Sequence, residues 1–115
     1  MLIQVVIPSI LFTSCATTSK IGKPVNRKLN DGIYESSYKG GPNKAFVSVT
    51  IESNKIIDIQ IVEHWAWKGK MAEMAIIKRI IENQSTDVDA VSGATNSSIV
   101  IMNAVQKAIE KAYQN

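Results

Sequence analysis

The apolar positions of this 115-residue chain change period twice. From Ala45 to Ile51 they alternate: Val47, Val49 and Ile51 on one side, Ser48, Thr50 and Glu52 on the other. Ile57, Ile59 and Ile61 repeat the pattern, with Asp58 and Gln60 opposite. A period of two predicts half-buried strands. Cross-strand partners share a face, so odd positions must meet odd positions. A two-residue turn at Ser53-Asn54 would place Val49 against Asp58. The parity therefore predicts an antiparallel hairpin with an odd-length loop, Ile51 standing opposite Ile57 or Lys55. Upstream, Ile33 to Tyr38 is a further short strand, followed by the turn signal Lys39-Gly40-Gly41-Pro42-Asn43.

From Met71 to Glu82 the period becomes helical. Met74, Ile76, Ile77, Ile80 and Ile81 share one face, with Lys78, Arg79 and Glu82 opposite. A second helix is predicted from about Asn96 to Tyr113. Ile101, Met102, Val105, Ala108, Ile109 and Ala112 form its buried stripe, and Asn103, Gln106, Lys107 and Glu110 its wet face. Thr95 or Asn96 suits the N-cap. The order strand, strand, strand, helix, helix predicts an α+β fold, with an antiparallel sheet of about three strands and two helices packed on it.

The N-terminus follows another pattern. Residues 1–14 carry no charge and are apolar from Leu2 through Phe12, too short a run to span a bilayer as a helix. It resembles the core of an export signal. The only cysteine follows in Leu11-Phe12-Thr13-Ser14-Cys15, which resembles a bacterial lipoprotein cleavage site with Cys15 as the lipidated residue. Residues 15–30 are polar, contain Gly22 and Pro24, and predict a flexible tether; residues 31–115 form the folded domain. Lys20, Lys23, Arg27 and Lys28 all lie in the tether, so the net charge of +3 belongs there and the domain is close to neutral. Basic residues beside a lipid anchor favour anionic headgroups, and equally suit a solvated linker. No basic stripe with interleaved aromatics is present, which argues against nucleic-acid binding.

The candidate chemistry lies between the two helices, in Gln84-Ser-Thr-Asp-Val-Asp-Ala-Val-Ser-Gly-Ala-Thr95. Ser92-Gly93-Ala94-Thr95 ends on a helix start. Glycine permits close backbone approach, and a helix N-terminus offers unpaired N–H groups, so the string suits a phosphate group. It equally suits a plain helix cap. One histidine and one cysteine are too few for a structural zinc site, and no metal is expected. Cys15 lies in the leader, far from His64. Ser92, His64 and Asp89 lack the Gly-x-Ser-x-Gly turn of a nucleophile elbow, so no catalytic residue is assigned. Asp87 and Asp89 are solvated loop carboxylates unless a ligand recruits them. After the third strand comes a loop with both tryptophans, His64-Trp65-Ala66-Trp67-Lys68-Gly69; these suit stacking on a planar ligand or covering the core.

Taken in order, Asp31-Gly-Ile-Tyr34, Gly40-Gly41-Pro42, Ile61-Val62-Glu63-His64, the Gln84–Thr95 run and a final helix resemble the FMN-binding domain family. That family includes the covalent-flavin subunits of the sodium-translocating NADH:quinone reductase and of the Rnf complex, and small envelope lipoproteins. The resemblance implies FMN as cofactor, joined by a phosphoester to Thr95 by a separate flavin transferase acting on FAD. It implies that Ser92, Gly93 and Ala94 surround the attachment point and that Asp89 belongs to the transferase's recognition motif. By position it places Gly40, Gly41, His64 and Trp65 near the flavin. Many members follow the histidine with an acidic, Thr-Pro-Gly-like loop; here Trp65-Ala-Trp-Lys-Gly69 stands instead. The expected function is electron transfer to a membrane-bound redox partner, on the outer face of a membrane and without an independent substrate site. The alternative is an envelope module that binds flavin or another phosphorylated ligand non-covalently.

Overall fold

The computed structural model describes residues 28–65 and 70–114. Strands β1 (Gly32–Gly40), β2 (Asn43–Glu52) and β3 (Lys55–Trp65) form one antiparallel sheet in that order. Helices α1 (Lys70–Asn83) and α2 (Thr95–Glu110) follow. This is the α+β arrangement that the change of period predicts. The alternation of β2 decides which face is covered. Ala45, Val47, Val49 and Ile51 are buried, while Phe46, Ser48 and Thr50 are partly exposed. α2 packs across β1 and β2, and α1 lies against β3 and α2. No helix among the described residues is long and apolar enough to cross a membrane.

The β2–β3 loop differs from the expected one. Glu52 pairs with Lys55, so the turn is the two residues Ser53-Asn54. Their φ angles of 52° and 64° are those of a type I′ turn, whose twist suits a hairpin. Parity is restored further along. Ile51 pairs with Ile56 but Thr50 pairs with Asp58, leaving Ile57 as the extra residue of a β-bulge. Ile56 is buried and Ile57 is 46% exposed, after which Ile59 and Ile61 resume opposite Val49 and Val47. A second irregularity at Val62 lies between Phe46/Val47 and their partners. A bulge thus does the work that an odd loop would have done.

The helices carry two further corrections and the start of the fold a third. Met74, expected on the buried face of α1, is 80% exposed; Ala72, Ile76 and Ile80 make that face. Asn103 and Gln106, expected on the wet face of α2, are buried. α2 is covered on one side by the sheet and on another by α1, so its buried arc is wider than one apolar stripe. The third concerns the start of the fold. Leu29 is 3% exposed and forms an antiparallel bridge with Tyr113, and its N–H donates to Asn54 Oδ1 at 2.6 Å. The folded part therefore takes in residues 28–30, which the polar composition of residues 15–30 assigns to the tether. An apolar residue in a polar run is a weak signal, and its partners lie far along the chain. The leader and Cys15 lie outside the described residues.

α1 ends in a Schellman motif at Gln84, whose φ is 51°. The N–H of Ser85 reaches Ile80 O and that of Gln84 reaches Ile81 O. The Gln84 side chain then behaves like a short piece of strand. Its Oε1 accepts from Ile56 N–H at 2.8 Å, and its Nε2 donates to Ile56 O at 2.9 Å and to Ile81 O at 2.8 Å. One amide thus joins the end of α1 to β3 beside the bulge. Gln84→Ala leaves part-buried backbone groups of Ile56 unpaired. It is expected to destabilise the domain by about 1–3 kcal/mol, read as a lower urea midpoint at unchanged m-value.

Candidate functional site

The segment from Gln84 to Ala94 lacks regular structure but is fastened throughout. Ser85 Oγ accepts from Asp87 N–H at 2.9 Å. Buried Thr86 donates through Oγ1 to Gln106 Oε1 at 2.7 Å. Gln106 Nε2 in turn donates to Glu110 Oε2 at 3.1 Å and to Tyr113 Oη at 3.2 Å. Val88 is buried. The strap is thereby held against α2 before it turns into that helix.

The turn itself is Val91-Ser92-Gly93-Ala94, closed by Ala94 N–H to Val91 O at 2.9 Å. Gly93 stands at φ +85°, the left-handed position that a type II turn needs at its third residue. A Cβ built on Gly93 meets nothing within 4 Å, so the space above it is open. Ser98 ties the turn to the helix. Its Oγ accepts from Val91 N–H at 3.0 Å and donates to Ala94 O at 2.7 Å.

That arrangement changes the expected cap. Ala94, not Thr95 or Asn96, is the capping residue, and no side chain caps the helix. Thr95 is the first helical residue and is exposed. The first N–H groups of a helix have no intrahelical partner and carry partial positive charge. No acidic residue stands in the first turn of α2. The start of α2 therefore offers an exposed hydroxyl beside donors suited to a phosphate.

The β1–β2 hairpin comes to this helix start. Its turn is Gly41-Pro42, with Gly41 at φ +62° as the first central residue of a type II′ geometry. Asn96 Nδ2 donates to Gly40 O at 3.4 Å. Gly40 is buried, and a Cβ placed on it would lie 2.9 Å from Val100 Cγ2. The Gly40-Gly41 pair and Thr95, far apart in sequence, are thus neighbours across the Gly40–Asn96 contact. His64 and Trp65 are strand residues rather than loop residues: His64 pairs with Ala45 and Trp65 with Lys44. The register puts both at the hairpin-turn end of the sheet. Trp67 lies outside the described residues.

Asp89 is held from another direction. Arg79 Nη1, on α1, donates to its carbonyl oxygen at 2.7 Å. Asp89, Asp87, Val88, Arg79 and Asn83 line a polar cleft of about 300 Å³. Sequence reasoning missed Asn96, Ser98 and Arg79. Ser98 left one trace, a hydroxyl placed directly before the apolar run Ile99-Val100-Ile101-Met102.

A model of the FMN-binding domain matches residues 39–110, more than half of the chain. The chain belongs to the FMN-binding domain family. This FMN-binding domain is 35% identical over 107 residues to an uncharacterized protein of Treponema pallidum, covering 86% of this chain and 28% of the relative. It is 32% identical over 91 residues to an NADH:acrylate oxidoreductase of Vibrio harveyi, covering 76% of this chain and 9% of the relative. The chain thus spans under a third of the length of either relative. A crystal structure of a Clostridium perfringens protein shares the fold, with a TM-score of 0.60 at 22% identity over 73% of this chain and 88% of that one.

FMN is the cofactor that this family membership assigns. The residues present fit it. The α2 start has no side-chain cap, the space above Gly93 is open, and Thr95 is exposed. The backbone of Thr95 and Asn96 would hold the phosphate.

Proposed function

We propose that this chain is a flavin electron carrier whose FMN is esterified to Thr95. The observation that carries this reading is the exposed Thr95 hydroxyl at the uncapped start of α2, in a domain of the FMN-binding family. In the attachment step, Thr95 Oγ1 bonds to the FMN phosphorus of FAD and the pyrophosphate bond breaks. AMP leaves, and the hydroxyl proton is released. The chain's own contribution is geometric: the Gly93 turn keeps bulk away from the hydroxyl, Ser98 fixes the turn, and helix N–H groups face the phosphate charge. A flavin transferase would supply the catalysis. Bound FMN accepts one or two electrons, and the protein sets its position and surroundings.

The likeness to an NADH:acrylate oxidoreductase supports a redox role. The proposed role is to pass electrons between partners, tethered through lipidated Cys15 and the residues between it and the folded part on the outer face of a membrane. Denaturation of the protein produced with a flavin transferase is the test. Flavin that stays with the unfolded chain, with the intact mass raised by one FMN, is the expected result. Flavin released into the solvent favours the non-covalent reading instead.

A further inference from the structure

The flavin end of the sheet carries an arrangement that costs stability. Lys39 and Lys44 are directly opposite each other, one residue in from the Gly40–Asn43 pair that closes the hairpin. In a two-residue hairpin that is a non-hydrogen-bonded pair, where side chains lie closest. Like charges directly opposite are destabilising. Both lysines are exposed. Gly40 faces α2, since its Cβ would meet Val100, so Lys39 and its partner Lys44 stand on the face without helices. Exposed lysines often protect sheet edges. That explanation serves Lys39 on edge strand β1 and fails for Lys44, because β2 is the central strand. The acids of this face lie in the rows behind: Glu63 beside Phe46, then Glu35, then Asp58, then Glu52 opposite Lys55.

We propose that the Lys39–Lys44 pair is the docking surface for an acidic redox partner, steering it onto the flavin end of the domain. The proposal rests on the electron-carrier reading. The lysines adjoin Gly40, whose carbonyl contacts Asn96 beside Thr95, so a partner held there meets the end of the domain that carries FMN. Clustered charge of one sign raises the encounter rate of an oppositely charged partner and loses this effect in salt. An anionic membrane is a poorer match, since lipid-binding clusters usually hold four to eight basic residues.

The test uses the full chain loaded with FMN, its flavin reduced and then reoxidised by ferricyanide or by hexaammineruthenium(III), followed by flavin absorbance. The anionic oxidant should react at least about threefold more slowly with Lys39→Gln/Lys44→Gln than with wild type at low salt. The cationic oxidant should be unaffected or faster. Separately, an acidic poly-glutamate peptide should shift the backbone amides around Lys39 and Lys44 in wild type and not in the double variant. The variant should also melt a few degrees higher, because the repulsion is gone. Equal ferricyanide rates, a lower melting temperature, or loss of binding to phosphatidylserine vesicles as the only change would each overturn the proposal. If wild type takes up no FMN, the electron-carrier reading fails, and the peptide and melting results still decide the role of the lysines.

Discussion

Thr95→Ala, produced together with a flavin transferase, is expected to keep its unmodified mass, whereas wild type gains one FMN per chain. The effect is all or none, because the substitution removes the only atom of that residue able to form the ester. The fold should not notice. Thr95 is exposed and contributes no cap to α2, and such surface changes usually fall within about 0.5 kcal/mol. An unchanged melting temperature would therefore exclude unfolding as the reason for a lost mass shift. Thr95→Ser keeps a hydroxyl at the same helical position and is expected to accept flavin. An FMN-sized shift in Thr95→Ala would place the bond elsewhere, Ser92 being the nearest other hydroxyl of the motif.

Gly40→Ala is expected to be the most damaging single methyl addition at the site. Its Cβ would lie 2.9 Å from Val100 Cγ2, and Val100 is buried and β-branched in a helix, with essentially one rotamer to offer. Overpacking of this kind costs about 1–3 kcal/mol. In a domain of this size each kcal/mol lowers the melting temperature by about 4–8 °C. The hairpin has one direction in which to yield, away from α2, which lengthens the contact between Gly40 O and Asn96. Flavin loading should fall with stability. A double-mutant cycle checks the cause. Val100→Ala removes the colliding methyl, so Gly40→Ala should cost much less in that background. Additive losses would mean that Gly40 matters for another reason.

Much of the fold is legible in one sequence because burial here follows strict periods. Val47, Val49 and Ile51 show their face by alternation, and Ile101, Val105, Ala108 and Ile109 show theirs by helical spacing. Departures arise where one local rule hides another. The parity of the isoleucines rules out a two-residue turn at Ser53-Asn54 only if the strand is regular; the bulge at Ile57 removes that premise. Met74 stands two residues from both Ala72 and Ile76, on the opposite side of α1 from the buried Ala72-Ile76-Ile80 line, so its apolar character does not place it in the core. Gln106 is polar yet buried because Thr86, twenty residues earlier, supplies its partner. At the site, Ser92-Gly93-Ala94-Thr95 is visible as a helix start, while its meeting with Gly40 and Gly41 is a tertiary fact. The family resemblance put these residues near one ligand. The hydrogen bonds of Asn96 and Ser98 give that grouping its physical basis.

The bridge between Leu29 and Tyr113 gives the domain a direction. It joins the first and last described segments at the Ser53-Asn54 end of the sheet, where Leu29 N–H meets the Asn54 side chain. The Gly41-Pro42 turn and the start of α2 stand at the other end, one β2 length away, roughly 30 Å for ten residues. Whatever chain precedes or follows the domain thus leaves from its base, and the end formed by the Gly41-Pro42 turn and the α2 start stands away from it like the head of a mast. Such a unit can be spliced into a longer polypeptide or hung from a tether without turning its working end toward the attachment.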